Sequence, residues 1–547
     1  MRRTPAVLAA AFLAAAFASA ARAGDPVTVG LAPDASSAAV AASLEAQGAT
    51  VEMRLDALDA LVVSARDTGA LAAAARDVPG VAYAESADVR RSLFWHPNDP
   101  LANDGEQWYV PRVRAFDFWS AAMAPPAYPP VRVAVVDSGI DVGHPEFAGR
   151  VAAARSFVRR PDGTLSPPTV DSLGHGTVIA GEIAAALDNA QGIAGVAFPA
   201  QLVVAKVTRG GAISVVAEAK GIRWAVDQGA RVISLSLGGR RDPRHLSFDE
   251  YSALEHAAID YATRHGAVVV AAAGNCPTLS CPYPYASWPA ALPHVIGVAA
   301  TSKTNASPAF SNRDRRYDDL AAPGTDVVST FPRRLTAGGC AERGYSPCAE
   351  DPGWREPRGT SFSSPLAAAA TALVLAQQPL LTSEQAAAIV ERAAVDIGTP
   401  GRDPASGRGL LDVNGALAAP PEATPPADVL EPNDDAGTHA RPLRGTNVTV
   451  TPTLDWWDDA RDVYRVYLAA GQRGTFTLTG ATGANMNLYL WPRHTDRVGG
   501  VRWLAASRSP GADERISFRP RQAGRYFLEV RLASHVGGRY TLTVTKS

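Results

Sequence analysis

Cysteine is scarce in this chain: four among 547 residues, at Cys276, Cys281, Cys340 and Cys348. So few exclude a scaffold held together by disulfides, and neither spacing nor any accompanying histidine pair suits a zinc module. The short separations suggest two local loops, Cys276–Cys281 and Cys340–Cys348, although four cysteines allow three pairings. Charge of one sign is also missing, with 52 lysines and arginines against 54 aspartates and glutamates. No basic block carries interleaved aromatics, so nucleic-acid binding has no support. The one long apolar run covers residues 6–18 and is too short for a helix that needs about 20 residues to span a bilayer. Arg2 and Arg3 precede it and Ala21-Arg22-Ala23 follows, which reads as a signal peptide over residues 1–23. Its removal leaves no membrane span, and export makes disulfides permissible. The Ala/Arg/Pro bias points to a bacterial source.

What is present is a set of four short motifs. Val131–Asp137 reads as a buried parallel strand that delivers Asp137 to its carboxyl end, where open α/β sheets gather ligands. Asp171-Ser172-Leu173-Gly174-His175-Gly176-Thr177 puts a histidine at a helix start. Ala267–Ala273 is a second apolar strand and runs into Gly274-Asn275. Gly359-Thr360-Ser361-Phe362-Ser363-Ser364-Pro365 places a serine in a turn before an Ala-rich helix, with Pro365 in its first turn. Singly, each has a plain structural reading: a cap, a satisfied histidine, a turn, an N-cap serine. Together, in the order Asp, His, Asn, Ser, they form a nucleophile, its base, an orienting carboxylate and an amide donor for an oxyanion.

These segments resemble the signatures of the subtilisin-like serine peptidases (subtilases), from about Asn98 to about Leu417. Ala321-Ala322-Pro323-Gly324 resembles a further landmark of that family. The resemblance implies a doubly wound α/β catalytic domain with Asp137, His175 and Ser361 as the triad and Asn275 in the oxyanion hole. It assigns the substrate walls to Ser236, Leu237 and Gly238 and to Ala272, Ala273 and Gly274, and the pocket floor to Ser287. Small residues there imply a roomy pocket for large apolar side chains. It also implies a structural calcium held by Gln107, Glu146 and Asn189, with carbonyls of Leu187, Gln191 and Ile193. Glu146 departs from the family's usual aspartate.

Composition and periodicity divide the remainder. Residues 24–93 read as β-α-β-β-α-β, a ferredoxin-like unit that resembles a subtilase propeptide, inhibitor and folding assistant to its own enzyme. The peptidase domain is expected over 94–417 and a Pro-rich linker over 418–427. Residues 428–547 alternate with period two between Gly-bearing turns, which predicts a β-sandwich. Asp428 with Glu431-Pro432-Asn433-Asp434 resembles the start of the bacterial pre-peptidase C-terminal domain, and Asp434 with Asp435 suggests a second ion. The expected protein is thus a monomeric, secreted (extracellular or periplasmic) endopeptidase acting on proteins or peptides. A narrow processing peptidase is the alternative within the same chemistry, and a carrier with a vestigial peptidase domain the alternative outside it.

Overall fold

An Ala-rich segment with few large side chains can still close a core when two short helices cover one face of a sheet, and the N-terminal part of the chain does so. The structure is a computed structural model that describes residues 26–65, 68–86, 96–118, 128–276, 280–335, 345–346, 358–419, 428, 430–455, 459–499, 501–534 and 536–547. The expected signal peptide, most of the linker, and Cys340 and Cys348 lie outside these residues. The chain divides into two compact units, one up to Ser92 and one from Leu93. In the first, β1 (Val27–Leu31), α1 (Ser37–Ala46), β2 (Thr50–Leu55), β3 (Ala60–Ser64), α2 (Thr68–Ala75) and β4 (Val81–Ser86) follow in order. Their antiparallel sheet runs β2-β3-β1-β4. Val27, Val29, Leu61 and Val63 pack there on Val40, Leu44, Leu71 and Ala75. Ser36 caps α1 by accepting from the Ala39 N–H at 3.3 Å.

The second unit is organised by seven parallel strands: β5 (Val131–Asp137), β6 (Val151–Ser156), β7 (Ala200–Lys206), β8 (Val232–Leu235), β9 (Val268–Ala272), β10 (Val295–Thr301) and β11 (Leu320–Pro323). Their spatial order is β11-β10-β9-β8-β5-β7-β6. Successive residues of a strand face opposite sides, so each strand feeds two cores. Val133, Val135, Leu202, Val204, Val268 and Val270 join one hydrophobic cluster. Ala134, Val136, Val203, Ala205, Val269 and Ala271 join the other. The first core is covered by α3 (His175–Ala184), α6 (Ser364–Gln377) and α7 (Ser383–Ala393), the second by α4 (Val215–Asp227) and α5 (Ala253–Arg264). This is the doubly wound α/β fold. Strand order reverses between β5 and β8, and the crevice at such a switch point is where ligands settle.

Beyond the linker, two antiparallel-rich sheets face each other. One contains β12 (Arg441–Leu443), β14 (Arg461–Leu468), β16 (Met486–Trp491), β17 (Ala505–Ser507) and β19 (Gly524–Leu532), in the order β12-β14-β19-β16-β17. The other contains β13 (Asn447–Val450), β15 (Gly474–Thr479), β18 (Glu514–Phe518) and β20 (Thr541–Lys546), in the order β13-β20-β15-β18. Val466, Leu488, Leu528 and Val530 of one sheet and Phe476, Ile516, Leu542 and Val544 of the other fill the core between them. The C-terminal region is therefore a β-sandwich. Among the described residues no helix is long and apolar enough to cross a membrane.

Candidate active site

Asp137 is the last residue of β5 and is only 3% exposed. Both of its carboxylate oxygens lie 2.9 Å from Nδ1 of His175, the first residue of α3. Oδ1 also accepts from the Ser138 N–H at 2.7 Å. Burial alone would push the imidazolium of His175 to lower pKa. The charge and hydrogen bond of Asp137 oppose this, with a smaller contribution from the Asp171 charge, and the net result is a pKa above the ordinary histidine value.

The approach of the β5 end to the α3 start is close, and two features permit it. A Cβ on Gly176 would fall 2.2 Å from the carbonyl oxygen of Gly139, so only glycine fits in that first turn. The other feature is Asp171. Its Oδ1 accepts from Ser138 Oγ at 2.9 Å, Leu173 N at 3.0 Å and Gly174 N at 2.8 Å. Its Oδ2 accepts from Thr177 N at 3.0 Å and Thr177 Oγ1 at 2.8 Å. Ser138 Oγ in turn accepts from Gly176 N at 2.9 Å. One fully buried carboxylate thus ties the residue after Asp137 to the turn that carries His175. Sequence reasoning gave Asp171 no role. Its position four residues before the histidine was the only available signal.

Ser361 sits in a 3-10 turn, Thr360–Phe362, that leads into α6, with Pro365 in the helix's first turn. The next residue, Phe362, places its ring 5.8 Å from the imidazole of His175. The Ser361 hydroxyl donates to the Ser236 carbonyl at 3.2 Å, and Ser236 Oγ donates to the Ser361 carbonyl at 2.7 Å. The Ser236–Gly238 segment therefore runs beside the serine. Asn275 follows β9, and its Oδ1 accepts from the Thr360 N–H at 3.0 Å and from Thr360 Oγ1 at 3.3 Å. That pairing sets the amide's orientation and turns Nδ2 away from Thr360. Such an arrangement can hold a carboxylate, an imidazole and an alcohol in sequence, with an amide N–H₂ at hand for a developing negative charge. Cys276, directly after Asn275, is bonded to Cys281, with their Cα atoms 5.8 Å apart.

The glycines of the two expected walls answer a packing need. A Cβ on Gly238 would fall 2.2 Å from the Trp288 carbonyl oxygen, and one on Gly274 would fall 2.0 Å from Ser287 Oγ. Both glycines thus let the backbone pack closely against residues 287–288. Ser287 N donates to the Ala273 carbonyl at 2.8 Å, and Gly239 and Trp288 exchange two 2.9 Å backbone hydrogen bonds. Ala272 and Leu237 flank these contacts in the chain.

The residues proposed for a cation also come together. Glu146 is fully buried; its Oε2 accepts from Asn189 Nδ2 at 3.0 Å and its Oε1 from Ile193 N at 3.3 Å. Gln107 exchanges hydrogen bonds with the Ala194 backbone at 2.7 and 3.1 Å. Asn189 Oδ1 accepts from Gln191 N at 2.8 Å, and the loop that starts at Leu187 bends through left-handed Asp188 and Ala190. Asp434 and Asp435, by contrast, do not share a site. Asp434 pairs with His294, while Asp435 Oδ1 accepts from the N–H groups of Ala436 and Val498 at 2.8 and 2.6 Å.

Two family models match the chain: "Subtilase family" over residues 130–409 and "Bacterial pre-peptidase C-terminal domain" over residues 460–532. The chain is 36% identical to thermitase of Thermoactinomyces vulgaris over 237 residues, which are 43% of this chain and 76% of the relative. It is 35% identical to subtilisin E of Bacillus subtilis over 289 residues, 52% of this chain and 65% of the relative. With fervidolysin of Fervidobacterium pennivorans the identity is 33% over 301 residues, 53% of this chain and 40% of that protein. The parallel sheet, the site at its carboxyl edge and these matches agree: the chain belongs to the subtilase family of subtilisin-like serine endopeptidases, and it carries a bacterial pre-peptidase C-terminal domain.

Proposed function

We propose that this is an exported bacterial endopeptidase that cleaves proteins through an acyl-enzyme on Ser361. The observation that carries this reading is the Asp137 carboxylate held on His175 Nδ1 beside the Ser361 turn. A serine hydroxyl is a weak nucleophile at neutral pH and needs a base within reach. The Ser361 O–H swings from the Ser236 carbonyl to His175 Nε2 and gives up its proton as Oγ attacks the substrate carbonyl carbon. Asp137 keeps Nδ1 protonated, which fixes the tautomer, and stabilises the imidazolium that forms. The tetrahedral oxyanion is met by Asn275 Nδ2 and by backbone N–H near Ser361. His175 then returns the proton to the leaving amine, and water repeats the sequence on the acyl ester.

Substrate enters extended between Ser236–Gly238 and Ala272–Gly274, adding a strand by main-chain hydrogen bonds. The Ser287 floor favours large apolar side chains. Residues 24–93 act as the chain's own inhibitor and folding assistant before removal, and the mature enzyme works as a monomer. A casein zymogram of wild type against Ser361→Ala tests the reading. Clearing by wild type and none by the variant is expected; equal clearing by both would overturn it.

Asp171 positions His175 and also acts on it through charge. Asp171→Asn should lower kcat/KM by about tenfold or more by loosening the turn. It should also move the acid limb of the pH–rate profile to lower pH, because loss of a negative charge lowers the imidazole pKa and keeps the neutral base available further into acid. A drop in rate with an unmoved acid limb would contradict the electrostatic part.

Structural calcium is common among subtilases. Here Glu146, Gln107, Asn189 and carbonyls of Leu187, Gln191 and Ile193 would hold it. Calcium wants six to eight oxygens. One buried carboxylate, two side-chain amides and a strained carbonyl-bearing loop fit that need, once Asn189 turns its amide so that oxygen replaces Nδ2. The bound ion would stiffen the loop beside α3. Excess calcium chelator should lower the melting temperature by several degrees and speed autolysis; an unchanged melting curve would count against the site.

A further inference from the structure

The Ser287 side chain stands between the two glycines that end the expected walls. A Cβ on Gly274 would fall 2.0 Å from its Oγ, and a Cβ on Gly238 would fall 3.6 Å from its own Cβ. Ser287 is half-buried and keeps open surface, while its neighbours Ala286 and Trp288 are buried. Behind it packs Asn312, which is 1% exposed. Asn312 Nδ2 donates to the Ala273 carbonyl at 3.3 Å and to Ser287 Oγ at 3.2 Å, so both amide hydrogens are engaged. A carbonyl can only accept, and the NH₂ end of the amide must therefore face this pair. Two backbone contacts hold the segment in place: the Asn312 N–H donates to the Gly274 carbonyl at 3.0 Å, and the Cys276 N–H to the Phe310 carbonyl at 2.7 Å. Asn312 Oδ1 is buried with no hydrogen-bond partner among the described residues. An amide that leaves its oxygen unsatisfied is costly, and what it provides here is a pair of aimed donors.

We propose that Asn312 is a positioning residue that makes Ser287 a hydrogen-bond donor at the pocket floor, so that the enzyme prefers tyrosine to phenylalanine on the amino side of the scissile bond. This rests on the reading of residues 236–238, 272–274 and 287 as the walls and floor of the substrate pocket. A serine hydroxyl has one hydrogen to give and can accept others. Asn312 supplies the hydrogen that Ser287 accepts, and that contact turns the Ser287 hydrogen away from the amide. No acceptor for the Ser287 hydrogen lies among the described residues. The side chain that suits such a floor is long, apolar along its length and tipped by an oxygen. Tyrosine has this form, with a ring for the apolar walls and a hydroxyl that accepts as well as donates. Phenylalanine offers the same ring but buries the Ser287 donor without a partner, which is how a polar site rejects an analogue lacking the matching group. One neutral hydrogen bond of this kind corresponds to about three- to tenfold in kcat/KM.

The test compares kcat/KM for two peptide p-nitroanilides that differ only in tyrosine or phenylalanine before the scissile bond. The enzymes are wild type, Ser287→Ala, Asn312→Ala and the double variant, each expressed as the full chain. Both peptides meet the same molecules, so the ratio of the two values cancels any loss of folded protein or of oxyanion stabilisation. Wild type should favour tyrosine by about three- to tenfold, and each single variant should bring the ratio close to one. The double variant should match Ser287→Ala, because without the hydroxyl nothing is left for Asn312 to orient. If Asn312→Ala does not fold, Asn312→Asp takes its place. That residue has the same shape but accepts the Ser287 hydrogen instead of supplying one, and the ratio should fall equally. A merely structural Asn312 would lower both values together, and an unchanged ratio in its variants overturns the proposal. A wild-type ratio near one overturns it as well. Cleavage of neither peptide by wild type contradicts the peptidase reading itself, whereas cleavage with unchanged ratios contradicts this inference alone.

Discussion

Both oxygens of Asp137 rest on one edge of the His175 ring, and that contact requires a strand end and a helix start to meet without space for an extra methyl group. Gly176 removes the obstructing Cβ, and Ser138 supplies the hydroxyl that bridges the two segments. Asp171 then gathers five donors, from Ser138, Leu173, Gly174 and Thr177, and locks the approach. A buried carboxylate without partners would be costly. With five, it becomes the fixed point from which the imidazole is aimed. The rest of the site follows: α6 brings the Ser361 turn to the same edge of the sheet, and Asn275 is aimed by Thr360 from within that turn.

The C-terminal sandwich has a defined relation to this machinery. Arg497 of the sandwich stacks its guanidinium 4.7 Å from the Tyr251 ring centroid and 5.6 Å from that of Trp288. Trp288 directly follows Ser287 and is bonded through its backbone to Gly239. The sandwich therefore touches the outer side of the segment that packs on Gly238 and Gly274. Guanidinium–aromatic contacts of this kind contribute about 0.5–2 kcal/mol each. Side-chain pairs also cross the seam between the two domains, from His294 to Glu431 and Asp434 and from His439 to Asp260.

The catalytic segments were readable in the sequence because each is a contiguous run whose residue types are set by one local task. Val131–Asp137 is a strand buried on both faces, so its apolar run and its terminal carboxylate are both visible. The serine turn likewise declares itself through Gly359, the hydroxyls and Pro365. Asp171 was less legible, since its partners come from two separate segments and its meaning appears only when they meet. A second reason for the wall glycines is hidden for the same cause. The missing Cβ atoms of Gly238 and Gly274 also admit Trp288 and Ser287, residues far from both glycines in the chain. The seam pairs were invisible, since each joins residues of different domains and no local spacing relates them.

Labelling of the full-length protein with a fluorophosphonate, which esterifies only an activated serine, tests the central claim most directly when the adduct is located by peptide mass spectrometry. A single adduct on Ser361 is expected, with a labelling rate at least about a hundredfold lower in His175→Ala. An adduct on another serine, or a rate indifferent to the loss of His175, would contradict the account.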